Sequence, residues 1–146
     1  MRARFPLTAA VIAAGAALAF ALPAGMAVAV QSESPPVSQV QLGQRAILDA
    51  NGAVVFAPVK VVCQPGAFAY LTVTVTENVG GDIASGSTFE EIESCTGRVQ
   101  SFELAVTPTQ KAFRVGVAFG QARLQVCSGR CRTVVDQHNI QIVRRR

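Results

Sequence analysis

The segment "AFAYLTVTVTE", Ala67 to Glu77, decides the fold class. Its aliphatic residues Leu71, Val73 and Val75 alternate with threonines. Because successive side chains of a strand point to opposite faces, this period of two predicts a β-strand with one buried face and one solvated face. β-Branched residues also favour a pleated, half-buried surface. We therefore expect the chain to be built from strands packed around this one.

The segment before it, "RAILDANGAVVFAPVKVVC", Arg45 to Cys63, contains two extended runs. Asn51-Gly52 separates the two runs, and this pair readily takes the positive φ angles that a type I′ hairpin needs. Pro58 lies inside the second run and cannot donate a hydrogen bond to a neighbouring strand. The sequence therefore predicts a hairpin here, with a bulge or an edge position at Pro58.

The rest of the chain continues the strand pattern. We expect residues 78–94 to be loop-rich with a short strand near Ile83. We expect residues 112–127 to form a long strand that bends near Gly120, and the last segment to form a hairpin around residues 136–139. No convincing helical pattern follows residue 30. About seven short strands separated by turns predict an all-β fold, a small antiparallel immunoglobulin-like β-sandwich. A small β-barrel is the alternative.

The first 29 residues have the features of a secretory signal peptide. Two arginines precede a long apolar stretch that ends at Pro23, and Ala27-Val28-Ala29 supplies small residues before the cleavage point. The sequence thus predicts cleavage after Ala29, a secreted, extracellular protein, and no transmembrane segment in the mature chain. Retention of the apolar stretch as an uncleaved anchor is the alternative, because it is long enough to span a bilayer.

Behind the signal peptide, composition divides the chain into three parts. Residues 30–44 are polar and contain adjacent prolines, which predicts a flexible N-terminal arm. Residues 45–143 form the predicted sandwich domain, and residues 144–146 a basic tail. A mature chain of about 117 residues is enough for one domain with a modest core.

Four cysteines in a small secreted domain predict two disulfides. The turn-like "SGR" makes a local bridge between Cys127 and Cys131 feasible, and Cys63 then pairs with Cys95. The rival pairing is Cys63–Cys127 across the sandwich, which joins Cys95 to Cys131. One close pair and two distant single cysteines lack the paired short spacings of a structural zinc site, so no metal site is expected.

The "LDANG" turn, the mid-chain "CTGRVQSF" and the "CSGRC" near the end resemble small secreted actinobacterial proteins of families whose function is unknown. A more distant resemblance is to the neocarzinostatin-type chromophore-binding apoproteins. Those are similar in size and carry one mid-chain disulfide and one local disulfide near the end. The resemblance implies an immunoglobulin-like sandwich and, as one functional alternative, a carrier of a small ligand.

Charge is unevenly distributed along the mature chain. Residues 30–110 contain 3 basic and 8 acidic residues, whereas residues 111–146 contain 8 basic and 1 acidic. The small net excess of basic residues does not indicate a nucleic-acid-binding protein. We expect the basic end to contact an anionic cell-envelope polymer or acidic lipids, and a protein partner is the alternative. The arginines expected at this contact are Arg130, Arg132, Arg144, Arg145 and Arg146.

Catalytic machinery is sparse in this sequence. His138, the single histidine, follows Asp136 in "DQHN", which reads as a polar turn, and no Gly-X-Ser-X-Gly or Ser-X-X-Lys motif occurs. Glu90, Glu91 and Glu93 form the one carboxylate cluster, and the alternative of a secreted hydrolase rests on this loop. We therefore expect a non-enzymatic binding protein with no catalytic residues and no cofactor.

Two aromatic residues stand apart from this pattern. Phe68 and Tyr70 fall on the threonine side of the Ala67–Glu77 strand, so they form an aromatic patch if that side is exposed. Tyr70 is the single tyrosine and tryptophan is absent, so the aromatic platforms typical of sugar-binding sites are few. We expect the phenylalanines of the mature chain to serve mostly in the core.

Overall fold

The computed structural model describes residues 37–145. The predicted signal peptide, most of the predicted arm and Arg146 lie outside these residues. The described chain forms eight strands: β1 (Gln39–Leu42), β2 (Arg45–Asp49), β3 (Val54–Val62), β4 (Phe68–Val79), β5 (Asp82–Ile92), β6 (Gln100–Val106), β7 (Gly116–Ser128) and β8 (Arg130–Arg144). Between residues 37 and 145 no helix is long and apolar enough to cross a membrane.

The fold is all-β, and all its strand pairs but one are antiparallel. One layer has the strand order β5–β4–β7–β8. In the other layer, β3 pairs with β6 along one edge and with β1 and β2 along the other. β2 also pairs in parallel with β8, so it joins the two layers. The result is the predicted small β-sandwich.

The core lies between the two layers and consists of inward-facing alternate residues. In β4, Leu71, Val73 and Val75 are fully buried and the threonines between them are partly exposed, which confirms the alternation read from the sequence. Burying one such aliphatic side chain contributes about 1.5–3 kcal/mol. The other strands add the fully buried Leu42, Val55, Val59, Val61, Val106, Leu124, Ile140 and Ile142.

Pro58 occupies neither the bulge nor the edge position that the sequence predicts for it. β1 pairs with Val59–Val62 and β2 with Val54–Phe56, so the gap between these two partners falls at Pro58 and its missing N–H costs no ladder hydrogen bond. The Gly43 N–H donates to the Pro58 carbonyl at 2.7 Å. A Cβ at Gly43 would lie 2.6 Å from the proline ring, so the chain needs glycine at this approach.

The Asn51-Gly52 turn does join two antiparallel strands, as predicted, but by a longer loop than a type I′ turn. Asp49 faces Val54 across the hairpin, and the residues between them include a 3-10 turn over Ala50–Gly52. Ala50, Asn51 and Gly52 all have positive φ. Asparagine and glycine tolerate this left-handed conformation, which explains why the chain reverses here.

Three expectations about the rest of the chain are wrong. Residues 78–94 are mostly strand, because a Gly80-Gly81 turn with positive φ folds β5 back along β4. β8 runs unbroken through Asp136–Asn139, and the chain reverses at Gly129 instead. Part of the predicted arm, Gln39–Leu42, is strand β1, since its apolar residues face the core and Leu42 is buried.

Candidate functional site

The four cysteines form the predicted disulfides, Cys63–Cys95 and Cys127–Cys131. The first joins the end of β3 to the β5–β6 connection, and both of its cysteines are buried. The second closes the β7–β8 hairpin at directly opposed register positions, where Cys131 is exposed. Two disulfides indicate an oxidising compartment. Between residues 37 and 145, no group of three His, Cys, Asp or Glu side chains is placed to hold a metal ion.

The carboxylate cluster does not form a loop site. Glu90 and Glu91 are consecutive residues of strand β5, and Glu93 follows the end of that strand. Consecutive strand residues point to opposite faces. Glu91 is opposite Tyr70 on the outward side of β4, whereas Glu90 is opposite the buried Leu71. This arrangement separates two of the three acids on which the hydrolase alternative rests.

Asp136 and His138 face the interior side of β8 rather than occupying a hairpin tip. The His138 Nδ1 lies 3.2 Å from the Asp136 Oδ1, and the second oxygen of Asp136 accepts the backbone N–H of Leu42 at 2.8 Å. The buried His138 Nε2 has no hydrogen-bond partner among residues 37–145, so no serine hydroxyl completes a Ser-His-Asp arrangement there. The pair anchors β1 against β8.

The five arginines expected at an anionic contact do not share one surface. Arg130 and Arg132 lie at the hairpin end of β8, and Arg144 is its last residue. At about 3.3 Å per residue, the two ends of this strand are roughly 46 Å apart. Arg145 follows Arg144, and Arg146 lies outside the described residues. The structure therefore keeps Arg144 and Arg145 together and separates them from the hairpin arginines.

Two arginines that the sequence did not single out join the tail. Arg45, Arg144 and Arg145 line an open cavity of about 740 Å³, and Arg114, Arg144 and Arg145 line an adjoining one of about 710 Å³. All four side chains are exposed, and none of them forms an ion pair with another residue between 37 and 145. We call this group, Arg45, Arg114, Arg144 and Arg145, the arginine end.

Two features of the fold bring these arginines together: the register of the β2–β8 pair and the β6–β7 connection, whose backbone is held in place. The parallel pairing of β2 with β8 sets Arg45 opposite Gln141 and Leu48 opposite Arg144, which brings both ends of the domain's sequence together. Arg114 lies in the β6–β7 connection, and its N–H donates to the buried Glu77 carboxylate at 2.8 Å. The backbone of this connection is therefore held in place, although the guanidinium of Arg114 is free to meet a ligand.

Phe113, next to Arg114, fixes the same connection to the Asn51-Gly52 turn. Its side chain is buried, and its N–H donates to the Gly52 carbonyl at 2.9 Å. A Cβ at Gly52 would lie 2.1 Å from the Phe113 carbonyl oxygen, and Gly52 has a φ of 93°. Only glycine allows both the close approach and the positive φ. The turn therefore fixes the position of the connection that carries Arg114.

An ion pair lies on the same connection. The Lys111 ammonium pairs with the Asp82 carboxylate at the start of β5. The hydrogen bond from Lys111, and then its charge, hold the pKa of the Asp82 carboxyl below its usual range. Asp82 is thus neutralised by a partner, in contrast to the unpaired charges of the arginine end.

The outward side of the β5–β4–β7–β8 layer is the second exposed feature, and we call it the outer face. Phe68 is 54% exposed and Tyr70 is 42% exposed, so the aromatic patch expected on the threonine side of β4 is present. Phe89 and Phe119 extend it, at 73% and 45% exposed. Of the phenylalanines between residues 37 and 145, Phe113 alone is fully buried, so the expectation that they mostly fill the core is wrong.

Comparison with known proteins adds no assignment. No protein-family model matches this chain, and no curated protein is significantly similar to it.

Proposed function

We propose that this is a secreted, non-enzymatic protein that binds an anionic polymer of the cell envelope at the arginine end. The observation that carries the proposal is the convergence of four exposed guanidinium groups on two adjoining cavities without a carboxylate partner among residues 37–145. Guanidinium groups bind phosphate and carboxylate groups through paired hydrogen bonds. Unneutralised arginines around a concave surface therefore favour an anionic ligand over a neutral one.

The charge of the arginine end is large enough for measurable binding. A basic residue close to an anionic surface contributes about 1 kcal/mol. Asp49 is the one acidic residue that lines either cavity, and its carboxylate accepts the neighbouring Ala50 N–H at 2.7 Å. The positive potential of the arginine end is therefore only partly offset within the site.

Secretion is supported by the signal-peptide features and by the two disulfides. We propose cleavage after Ala29, which leaves a mature chain beginning at Val30. The absence of catalysis is supported by the separation of Glu90 from Glu91 on the two faces of β5. The immunoglobulin-like topology, the actinobacterial resemblance and the small-ligand carrier suggested by the neocarzinostatin-type proteins stay predictions.

The test compares two variants that each remove two positive charges, one at each end of β8. Arg144→Ser/Arg145→Ser removes the shared part of the arginine end, and Arg130→Ser/Arg132→Ser removes the two arginines at the opposite end of β8. Binding of soluble poly(glycerol phosphate) is measured by calorimetry at low salt and again at physiological salt. At about 1 kcal/mol per arginine, the first variant should bind about 30-fold more weakly, and the second should bind like the wild type.

The control variant separates a local site from general electrostatic attraction. Both variants have the same net charge, so equal losses of affinity would show that the polymer responds to net charge alone and would contradict the proposal. Absence of binding by the wild type at low salt would contradict it too. Both variants should keep the wild-type unfolding midpoint, because the arginines are exposed and unpaired.

A further inference from the structure

The outer face carries most of the exposed large hydrophobic residues of the described chain. Ten large hydrophobic residues are exposed between residues 37 and 145, and seven of them lie here. They are Phe68, Tyr70, Ile83, Phe89, Val117, Phe119 and Val135. Isolated apolar residues are normal on a protein surface, whereas a concentration of this kind marks an interaction site.

Cross-strand register divides these residues into two apolar zones. One zone lies towards the hairpin that Cys127–Cys131 closes, and it consists of Phe68, Tyr70, Phe89 and Val135. Phe68 is directly opposite Cys127. Phe89 and Val135 lie side by side with Thr72 in one row of residues across the four strands. Ile83, Val117 and Phe119 lie at the other end of the face, in the rows of Asn78 and Thr76. The exposed apolar surface is therefore at the two ends of the face.

A row of uncharged polar side chains separates the two zones. Ser87, Thr74, Gln121 and Gln137 lie side by side across the four strands. The hydroxyls of Thr74 and Ser87 are 3.1 Å apart, and the Gln121 Nε2 donates to the Gln137 Oε1 at 2.8 Å. The Gln121 carbonyl oxygen and the Gln137 amide group keep free acceptor and donor capacity towards solvent. The middle of the face can thus both donate and accept hydrogen bonds.

Charge is almost absent from the outer face. Its polar positions are filled by serine, threonine, asparagine and glutamine, and its two charged residues, Glu91 and Arg123, have opposite signs. The arginine end presents the opposite chemistry. An anionic ligand therefore has no electrostatic reason to choose this face, whereas a neutral ligand with many hydroxyl groups does.

The distribution of polar and apolar residues argues against a flat protein partner or a second copy of the chain. The eleven residues from Phe68 to Asn78 span about 33 Å, and the axes of the four strands about 14 Å, so the face is long and narrow. Protein interfaces have an apolar centre and a polar rim. Here the polar row is central and the apolar zones are at the ends.

We propose that the outer face binds a linear, uncharged, β-linked polysaccharide that lies along the strands. Sugar rings present C–H faces that pack on aromatic rings and hydroxyl edges that hydrogen-bond to amides and hydroxyls. Tyr70 and Phe119 are about 20 Å apart along the strands, since Phe119 is opposite Thr76. A ligand of several sugar units reaches both zones and crosses the polar row. This proposal is independent of the arginine end.

A single substitution supplies a reporter for the test. The protein contains no tryptophan, so Phe89→Trp introduces one indole on the outer face and nowhere else. Titration with cellohexaose, an extended uncharged oligosaccharide, should shift the indole emission to shorter wavelength. The larger aromatic ring should also tighten binding relative to the wild type, as calorimetry on both proteins would show. A gain of affinity cannot be attributed to a failure to fold.

Ligand length and variants then test the geometry. In the Phe89→Trp background, cellohexaose should bind more than tenfold tighter than cellobiose, because only the longer chain reaches both zones. Phe119→Ala should weaken cellohexaose binding about five- to tenfold and leave the emission response to cellobiose unchanged. Val99→Ala, an exposed apolar residue in the β5–β6 connection, is the control and should change neither.

Three outcomes would overturn the proposal. One is the absence of both an emission shift and a binding heat with cellohexaose and with chitohexaose at millimolar concentration. Another is binding that tightens neither with chain length nor with Phe89→Trp. The third is a dimer, seen by analytical ultracentrifugation, that Tyr70→Ala dissociates, because it would assign the outer face to a second copy of the chain. Maltohexaose, a coiled chain, should bind more weakly than cellohexaose.

Discussion

Removing the disulfide Cys63–Cys95 should destabilise the protein much more than removing Cys127–Cys131. The two bridges enclose segments of different length, with sequence separations of 32 and 4 residues. Loop-closure entropy predicts that the longer bridge contributes about 3.7 kcal/mol and the shorter one about 2 kcal/mol. The relevant variants are the double substitutions Cys63→Ala/Cys95→Ala and Cys127→Ala/Cys131→Ala.

The surroundings of the two bridges increase this difference. Cys63 and Cys95 are 0% and 2% exposed, so removal of their sulfur atoms leaves a void in the core. Their bridge also holds the connection that carries the chain from one layer to the other, together with the hydrogen bonds of Gly66 and Gly97. Cys127–Cys131, in contrast, joins residues that the β7–β8 pairing already holds opposite each other.

Equilibrium unfolding in urea, followed by circular dichroism, measures both losses. With an m-value near 1.5 kcal/mol/M, the midpoint should fall by about 2.5 M for Cys63→Ala/Cys95→Ala and by about 1.3 M for Cys127→Ala/Cys131→Ala. A first variant that is unfolded without urea meets the expectation, provided that the second one folds. Equal losses, or a larger loss for the second variant, would refute the reasoning from loop length and burial.

Three further predictions concern local contacts. Gly52→Ala should lower the free energy of unfolding by more than about 1 kcal/mol, because its Cβ meets the Phe113 carbonyl oxygen at a positive φ; thermal melting checks this. Glu77→Ala should cost about 1–3 kcal/mol and speed hydrogen exchange at the Arg114 amide, which loses its acceptor. Limited thiol reductant followed by alkylation and mass spectrometry should label Cys127 and Cys131 before the buried pair.

Local patterns in the sequence were enough to predict the fold class. The alternation in β4 survives in the structure because a period of two depends only on neighbouring residues. The turn predicted at "DQHN" was wrong for the same reason, since Asp, Asn and Gln favour turns when only the local sequence is considered. In the structure their backbone groups pair with β7, and the pairing across the β7–β8 hairpin overrides the local preference.

The two candidate sites depend on pairing between distant segments, which a single sequence does not display. Arg45 and Arg144 come together through the parallel β2–β8 pair, and nothing in their local sequences indicates it. The sequence predicted part of the outer face, because the alternation in β4 places Phe68 and Tyr70 on the same side as the threonines. Phe89 lies on the same side of the sheet in β5, but the glycines and serines around it predicted a loop, so the strand was not expected.

The pairing of β2 with the final strand, β8, has a consequence for how the protein folds. β2 lies near the start of the domain and its parallel partner β8 is the last strand, so Arg45 meets Gln141 only after almost the whole domain has been synthesised. Pairings of such large sequence separation make folding slow. A chain that lacks its final strand cannot form this pair, so a secreted chain would complete the sandwich and oxidise its cysteines only after export. For the secreted protein proposed here, the same pairing that builds the arginine end would thus also delay folding until export is complete.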